Sequence, residues 1–175
     1  MRLVMISGCS GGGKSSLLDE LARRGHRVVV EPGRRVVEAE LAAGGGNLPW
    51  LDMAGFARAA LKLAIEDRRM ALRGSGPVFF DRGIVDAALA LQTAGGGYGA
   101  VGLARCLRYD DRVFLTPPWP AIYGRDAGRR HGFEAAAAEY GRLRRGYPRL
   151  GYRVDLLPRI GLAARADWLL ARVSR

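Results

Sequence analysis

Gly8-Cys9-Ser10-Gly11-Gly12-Gly13-Lys14-Ser15 matches the pattern G-x-x-x-x-G-K-[ST] at every fixed position. What surrounds it is what the pattern requires. Leu3-Val4-Met5-Ile6 is a short apolar run that predicts a buried strand, and residues 16–22 carry helical periodicity directly after the loop. A glycine-rich turn of another kind would have no reason to present strand, loop, Lys-Ser and helix in this order.

The glycines at 8, 11, 12 and 13 allow positive φ angles and bring backbone N–H groups within reach of phosphate oxygens. A helix starting near Gly13 adds unpaired N–H groups and the positive end of its dipole. Lys14 supplies a mobile charge for β- and γ-phosphates, and the Ser15 hydroxyl is placed to ligate a magnesium ion between the same oxygens. The expected nucleotide-binding residues are therefore Gly8, Ser10, Gly11, Gly12, Gly13, Lys14, Ser15 and Ser16, with Ser16 at the helix surface.

Working outward, 175 residues suit one domain with one sizeable core. Cys9 and Cys106 form no disulfide framework and no metal pattern, which suits a reducing compartment. No charged-then-apolar leader opens the chain, and no apolar run approaches the roughly 20 residues of a membrane span. The expectation is a soluble, cytoplasmic protein without membrane partners. The net charge of +11 raises nucleic acid as a partner. Only Lys14 and Lys62 are lysines, however, so arginine replaces lysine almost throughout in a chain rich in Ala and Gly. The arginines are not interleaved with aromatics as on a stacking platform, and phosphorylated small molecules are the simpler anionic partners.

Strands and helices alternate along the chain, which argues for a parallel sheet covered on both faces. Further strands are expected at 27–30, 77–83, 112–116 and 152–157. Helices are expected at 36–43, 50–73, 84–94, through 107, 133–145 and 162–173. Two strands end in acids, Glu31 before Pro32 and Asp81 before Arg82. Asp81 suits magnesium first, held through its waters while Ser15 binds directly; an N-cap of the helix at Ile84 is the rival role, and both could hold at once. Arg82 is fixed by the same turn and has Asp86 four residues on as a candidate salt-bridge partner. Pro32 keeps Glu31 out of helical geometry, so its side chain projects from the strand end.

The segment 117–133 has little apolar periodicity. Gly124, Gly128 and Gly132 offer hinges, while Arg125, Arg129 and Arg130 offer charge that could close over a phosphoryl group. Arg125 and Arg129 are the favoured pair, and His131 reads as a surface residue. Arg34 and Arg35 suit either substrate binding or a solvated helix face. No cluster of His, Cys and acids suggests zinc.

The phosphate loop, Glu31-Pro32, Asp81-Arg82-Gly83-Ile84-Val85-Asp86, the arginine-bearing segment and Leu157-Pro158 together resemble the small P-loop kinase-like ATPases, AAA-type predicted ATPases akin to ribosylnicotinamide kinases and deoxynucleoside kinases. The resemblance implies a nucleotide-kinase-like P-loop NTPase fold: a three-layer α/β/α sandwich on a five-stranded parallel sheet of order 2-3-1-4-5, with the site at the carboxyl ends of the strands. In open α/β sheets generally, ligands bind outside the carboxyl ends of the strands at a switch point, which puts it at the same edge. The chain then forms one nucleoside-triphosphate-binding domain over 1–175, with a lid at about 117–133.

The resemblance also implies ATP and magnesium as cofactors, and a small nucleoside- or nucleotide-like molecule as phosphoryl acceptor. It makes Lys14, Glu31, Asp81, Arg82, Arg125 and Arg129 the catalytic set, with Ser15 and Asp81 at the metal. Glu31 takes the place of the carboxylate that accepts the proton of the attacking hydroxyl, and Arg82 resembles the arginine aimed at substrate oxygens. Trp50 and Asp52 would lie near the acceptor pocket, although Trp50 also suits the core. The loop 157–160 would wrap the nucleotide base. Two other functions use this fold: an NTPase or nucleotide switch without an acceptor, and a nucleic-acid accessory protein. Against the switch, no Asn-Lys-x-Asp signature occurs, and residues 81–84 do not give Asp-x-x-Gly.

Overall fold

The computed structural model describes residues 1–124 and 132–173. Its strands are β1 (Leu3–Gly8), β2 (Arg27–Val29), β3 (Val78–Asp81), β4 (Arg112–Thr116) and β5 (Arg153–Leu156). They pair in parallel in the order β2-β3-β1-β4-β5, as expected. The helices are α1 (Lys14–Arg23), α2 (Pro32–Ala43), α3 (Met53–Ala71), α4 (Ile84–Thr93), α5 (Tyr98–Cys106), α6 (Phe133–Arg149) and α7 (Leu162–Val173), with a 3-10 turn at Pro120–Ile122.

Every residue of β1 and β3 is buried, the mark of strands covered on both faces. Side chains alternate between the faces. Leu3, Met5, Val78, Phe80, Val113 and Leu115 join the core under α2 to α6. Val4, Ile6, Phe79 and Phe114 pack with Leu17 and Leu21 of α1 and Leu169 of α7 on the other face. Large side chains such as Phe79, Phe80 and Phe114 each contribute roughly 1.5–3 kcal/mol by burial. Cys9 is buried, Cys106 is exposed and no disulfide joins them. Among the described residues no helix is long and apolar enough to cross a membrane.

Three helix boundaries differ from expectation. α3 begins at Met53 and not at Trp50, because Asp52 caps it by accepting from the Gly55 N–H at 2.9 Å. α2 begins at Pro32, earlier than the apolar periodicity that starts at Val36, since proline is well tolerated in a first helical turn. α6 runs on past Arg145 to Arg149 through Gly146 and Pro148. Gly146 reads as a helix breaker but serves close packing: a Cβ there would stand 2.4 Å from Leu89 Cδ1 of α4. Tyr147, wholly buried, anchors the extended turn.

Candidate active site

β1 lies between β3 and β4, so the chain leaves its carboxyl end at the point where connections diverge to either side of the sheet. The phosphate loop sits there. Gly8 has φ 110°, and a Cβ on it would stand 2.5 Å from the Thr116 carbonyl oxygen and 2.6 Å from its nitrogen. Only glycine fits so close to β4. The Cys9 N–H donates to the Thr116 carbonyl at 2.9 Å, and the Thr116 hydroxyl lies 3.2 Å from the Ser7 carbonyl and 3.3 Å from that of Cys9. Thr116 thus ties the loop to β4. Gly13 caps α1 in a left-handed conformation, which leaves the first-turn N–H groups facing the loop.

Lys14 is only 5 % exposed, and its Nζ donates to the Cys9 carbonyl at 3.1 Å. It therefore lies folded back on the loop that carries it. Ser15 and Ser16 are exposed at the start of α1. The Ser15 hydroxyl donates to Asp81 Oδ2 at 3.3 Å, which brings these two residues of the phosphate loop and β3 together. Asp81 is 2 % exposed, and its Oδ1 is buried without a hydrogen-bond partner among the described residues. Burial pushes its carboxyl up to about 6; Lys14 and Arg82 oppose the shift and Glu31 adds to it.

An unpartnered carboxylate oxygen beside a serine hydroxyl is a donor set that fits a hard divalent cation. Among the described residues no group of three or more His, Cys, Asp or Glu side chains gathers for a metal. Magnesium is usually bound by one or two protein oxygens together with substrate phosphates.

The raised pKa of Asp81 makes the stability of the fold depend on pH. Its carboxyl binds a proton more tightly in the folded chain, so in the magnesium-free protein stability falls as pH rises from about 4 to about 6. The cost is complete above pH 6. Two pK units correspond to about 3 kcal/mol. Asp81→Asn is therefore expected to stabilise the magnesium-free protein by up to about 3 kcal/mol at pH 7, with almost no effect at pH 4. Urea unfolding at the two pH values measures this, and an equal difference at both would contradict it.

Arg82 is the one described non-glycine residue at positive φ, 60°, held there by its N–H bond to the Ile6 carbonyl at 2.9 Å. Such backbone strain is tolerated where surrounding contacts fix the residue. Its guanidinium donates to Glu139 Oε1 at 2.7 Å and Oε2 at 3.1 Å, lies 3.1 Å from Glu31 Oε1 and reaches the Gly8 carbonyl at 3.2 Å. Burial works against this charge, but Glu139, Glu31 and Asp86 outweigh it and hold the guanidinium well above its ordinary range. The expected pairing with Asp86 is the longest of the set at 3.9 Å.

Asp86 instead organises a buried knot. It accepts from the Ser7 hydroxyl, from Tyr147 Oη at 2.7 Å and from the Gly83 N–H at 3.0 Å. Burial raises its carboxyl in spite of Arg82 and these donors. Through Glu139 and Tyr147, α6 braces both residues of the Asp-Arg-Gly-Ile-Val-Asp stretch. The sequence gives no sign of either partner: Glu139 follows a run of four alanines, and Tyr147 sits between apparent helix breakers.

A cavity of about 490 Å³ opens beside these groups, lined among others by Glu31, Arg34, Trp50, Phe56, Arg82 and Glu139. Glu31 stands at the N-cap of α2, with φ −49° and ψ 119° outside helical geometry, and lines the cavity. Trp50 lines this space, whereas Asp52 is occupied as a helix cap. The two arginines that follow Glu31 part ways. Arg34 lines the cavity, and Arg35 pairs with Asp67 of α3 at 2.8 Å. Tyr123 packs over Gly11 and against the Phe133 ring, 5.2 Å between centroids. Arg159 in the loop after β5 donates to the Pro118 carbonyl at 2.6 Å. Arg125, Arg129, Arg130 and His131 lie outside the described residues.

A five-stranded parallel sheet of this order, with a phosphate loop at its switch point, defines a P-loop kinase-like fold. A family model described as an AAA domain matches residues 3–165, and the chain belongs to that family. No curated protein sequence matches it. Among solved structures it is similar to the deoxyadenosine kinase from M. mycoides with bound dATP, at TM-score 0.72 and 13% identity, covering 100% of both chains. It is also similar to the NadR protein in complex with NR, at TM-score 0.75 and 16% identity, covering 99% of this chain and 52% of that one. The chain thus spans about half of NadR. Shikimate kinase from Acinetobacter baumannii in complex with shikimate gives TM-score 0.62 and 14% identity over 99% of this chain and 93% of that one.

Proposed function

We propose that the chain is a magnesium-dependent phosphotransferase that moves the γ-phosphoryl group of ATP to a hydroxyl of a small, nucleoside- or nucleotide-like acceptor. The observation that supports this is the 490 Å³ cavity next to the phosphate loop, large enough for a small molecule and lined by Glu31 and Arg82 among others. An NTPase that hydrolyses without an acceptor has no need of such a space. The similar proteins support the choice, since two are named as kinases and two were captured with NR or shikimate.

The residues divide the work by position. The loop N–H groups and Lys14 hold the phosphates. Ser15 and Asp81 would hold magnesium, which when bound neutralises phosphate charge. Glu31 accepts the proton of the acceptor hydroxyl as its oxygen bonds to the γ-phosphorus and the bond from that phosphorus to the ADP oxygen breaks. Arg82, kept in place by Glu139, orients oxygens at the transfer point. Trp50 and Phe56 offer flat apolar surface to the rest of the acceptor. On this reading residues 1–175 act as one nucleoside-triphosphate-binding domain, with about 117–133 as the lid that excludes water.

A thermal-shift screen of nucleosides, nucleotides and vitamin-like alcohols, run with a non-hydrolysable ATP analogue and magnesium, tests the proposal. Hits are expected among planar ring compounds bearing a free hydroxyl, and each hit should become phosphorylated when ATP replaces the analogue. ATP hydrolysis that no acceptor stimulates, with no hit in the screen, would favour the acceptor-free NTPase.

A further inference from the structure

Arg165, in the first turn of α7, is 2 % exposed and lies against the phosphate loop. Its guanidinium donates to the Gly12 carbonyl at 3.2 Å and stands 2.8 Å from where a Cβ on Gly13 would be. The face of Trp119 is 5.4 Å away. Among the described residues its Nε is buried with no hydrogen-bond partner and no carboxylate forms an ion pair with it. Burial alone lowers its pKa, whereas Arg82 has carboxylates that more than compensate.

A strut between α7 and the loop would need only a neutral donor to the Gly12 carbonyl. Burying a full charge there without a counter-charge is costly, and such charges are normally paired. The available anion position is the N-terminus of α1, where the Arg165 guanidinium lies against Gly13, the left-handed residue that caps the helix.

We propose that Arg165 is a nucleotide-binding residue whose fixed positive charge is completed by the phosphates of a triphosphate seated on the loop. This rests on the proposed triphosphate site and adds to it a cation from the far end of the chain. Lys14 comes from the loop itself. Arg165 comes from a helix packed behind it, so α7 takes part in nucleotide binding and does not merely close the sheet.

The test uses Arg165→Gln, which can keep a donor to Gly12 and removes the charge, and Arg165→Lys, which keeps the charge. Calorimetry with inorganic tripolyphosphate, ATP·Mg and adenosine is combined with thermal unfolding of the ligand-free protein. The Gln variant should bind tripolyphosphate and ATP about tenfold or more weakly, the scale of one charge-assisted contact. Adenosine binding should not change, the ligand-free Tm should hold or rise, and the Lys variant should recover part of the loss. Wild-type tripolyphosphate affinity in Arg165→Gln would overturn the proposal. So would a Gln variant that unfolds or loses several degrees of Tm, because the charge would then serve the fold. Wild-type protein that binds neither tripolyphosphate nor ATP would instead remove the triphosphate site on which the proposal stands.

Discussion

Lys14→Ala is expected to weaken ATP·Mg binding roughly 10²-fold while leaving the protein folded, the loss appropriate to a charged group in direct contact with phosphates. Retention of the fold follows from the loop's own bonding. The Cys9 carbonyl that accepts from Lys14 also accepts from the Gly12 N–H at 3.1 Å and lies 3.3 Å from the Thr116 hydroxyl, so removing the ammonium leaves no orphaned acceptor. Asp81 would lose a neighbouring positive charge that holds its carboxyl down, which favours its protonated form further. Calorimetry of the variant beside a circular-dichroism melt checks both halves. Unchanged ATP·Mg affinity in a folded variant would sink the assignment of the loop.

Glu31→Gln separates a kinase from an acceptor-free NTPase. The substitution keeps shape and removes the proposed proton acceptor, so phosphoryl transfer to an identified acceptor should fall by about 10²-fold or more, the scale of a general base. Nucleotide binding should hardly change, since the proposed phosphate contacts lie on the loop. Arg82 should also stay in place, since Glu139 grips its guanidinium in a bidentate pair and the Gly8 carbonyl accepts from it. A hydroxyl attacking a loose transition state needs an acceptor and not a strong base. Rates for ATP and acceptor at wild-type level in Glu31→Gln would reduce Glu31 to the arginine's counter-ion.

What was legible in the sequence was local or carried by backbone pattern. The strand runs, the glycine loop and the strand-end acids are each specified within a few residues, and strand order followed from the resemblance they carry. Helix ends were misjudged where tertiary contact outweighed local preference. Gly146 and Pro148 stay helical because α6 must approach α4 closely and seat Tyr147, and Asp52 starts α3 later than the periodicity suggests. Within the site, Lys14, Ser15, Glu31, Asp81 and Arg82 came from motif positions. Glu139, Tyr147 and Arg165 did not. Their partners lie 57, 61 and 153 residues away in the chain. In an arginine-rich sequence nothing local distinguishes a buried arginine from a solvated one.

The central place of β1 has a kinetic consequence. Its neighbours are β3 and β4, which pair Leu3 with Val78 and Met5 with Val113, so the strand that opens the chain finds both partners only after long loops have closed. Loop-closure entropy delays such pairings relative to helix formation. In refolding, helical signal should therefore return ahead of any affinity for triphosphate. The switch-point loop, whose shape depends on Thr116 at the end of β4, would be among the last features to mature. Capture of a fluorescent nucleotide then becomes a clock for completion of the sheet and not for collapse of the chain.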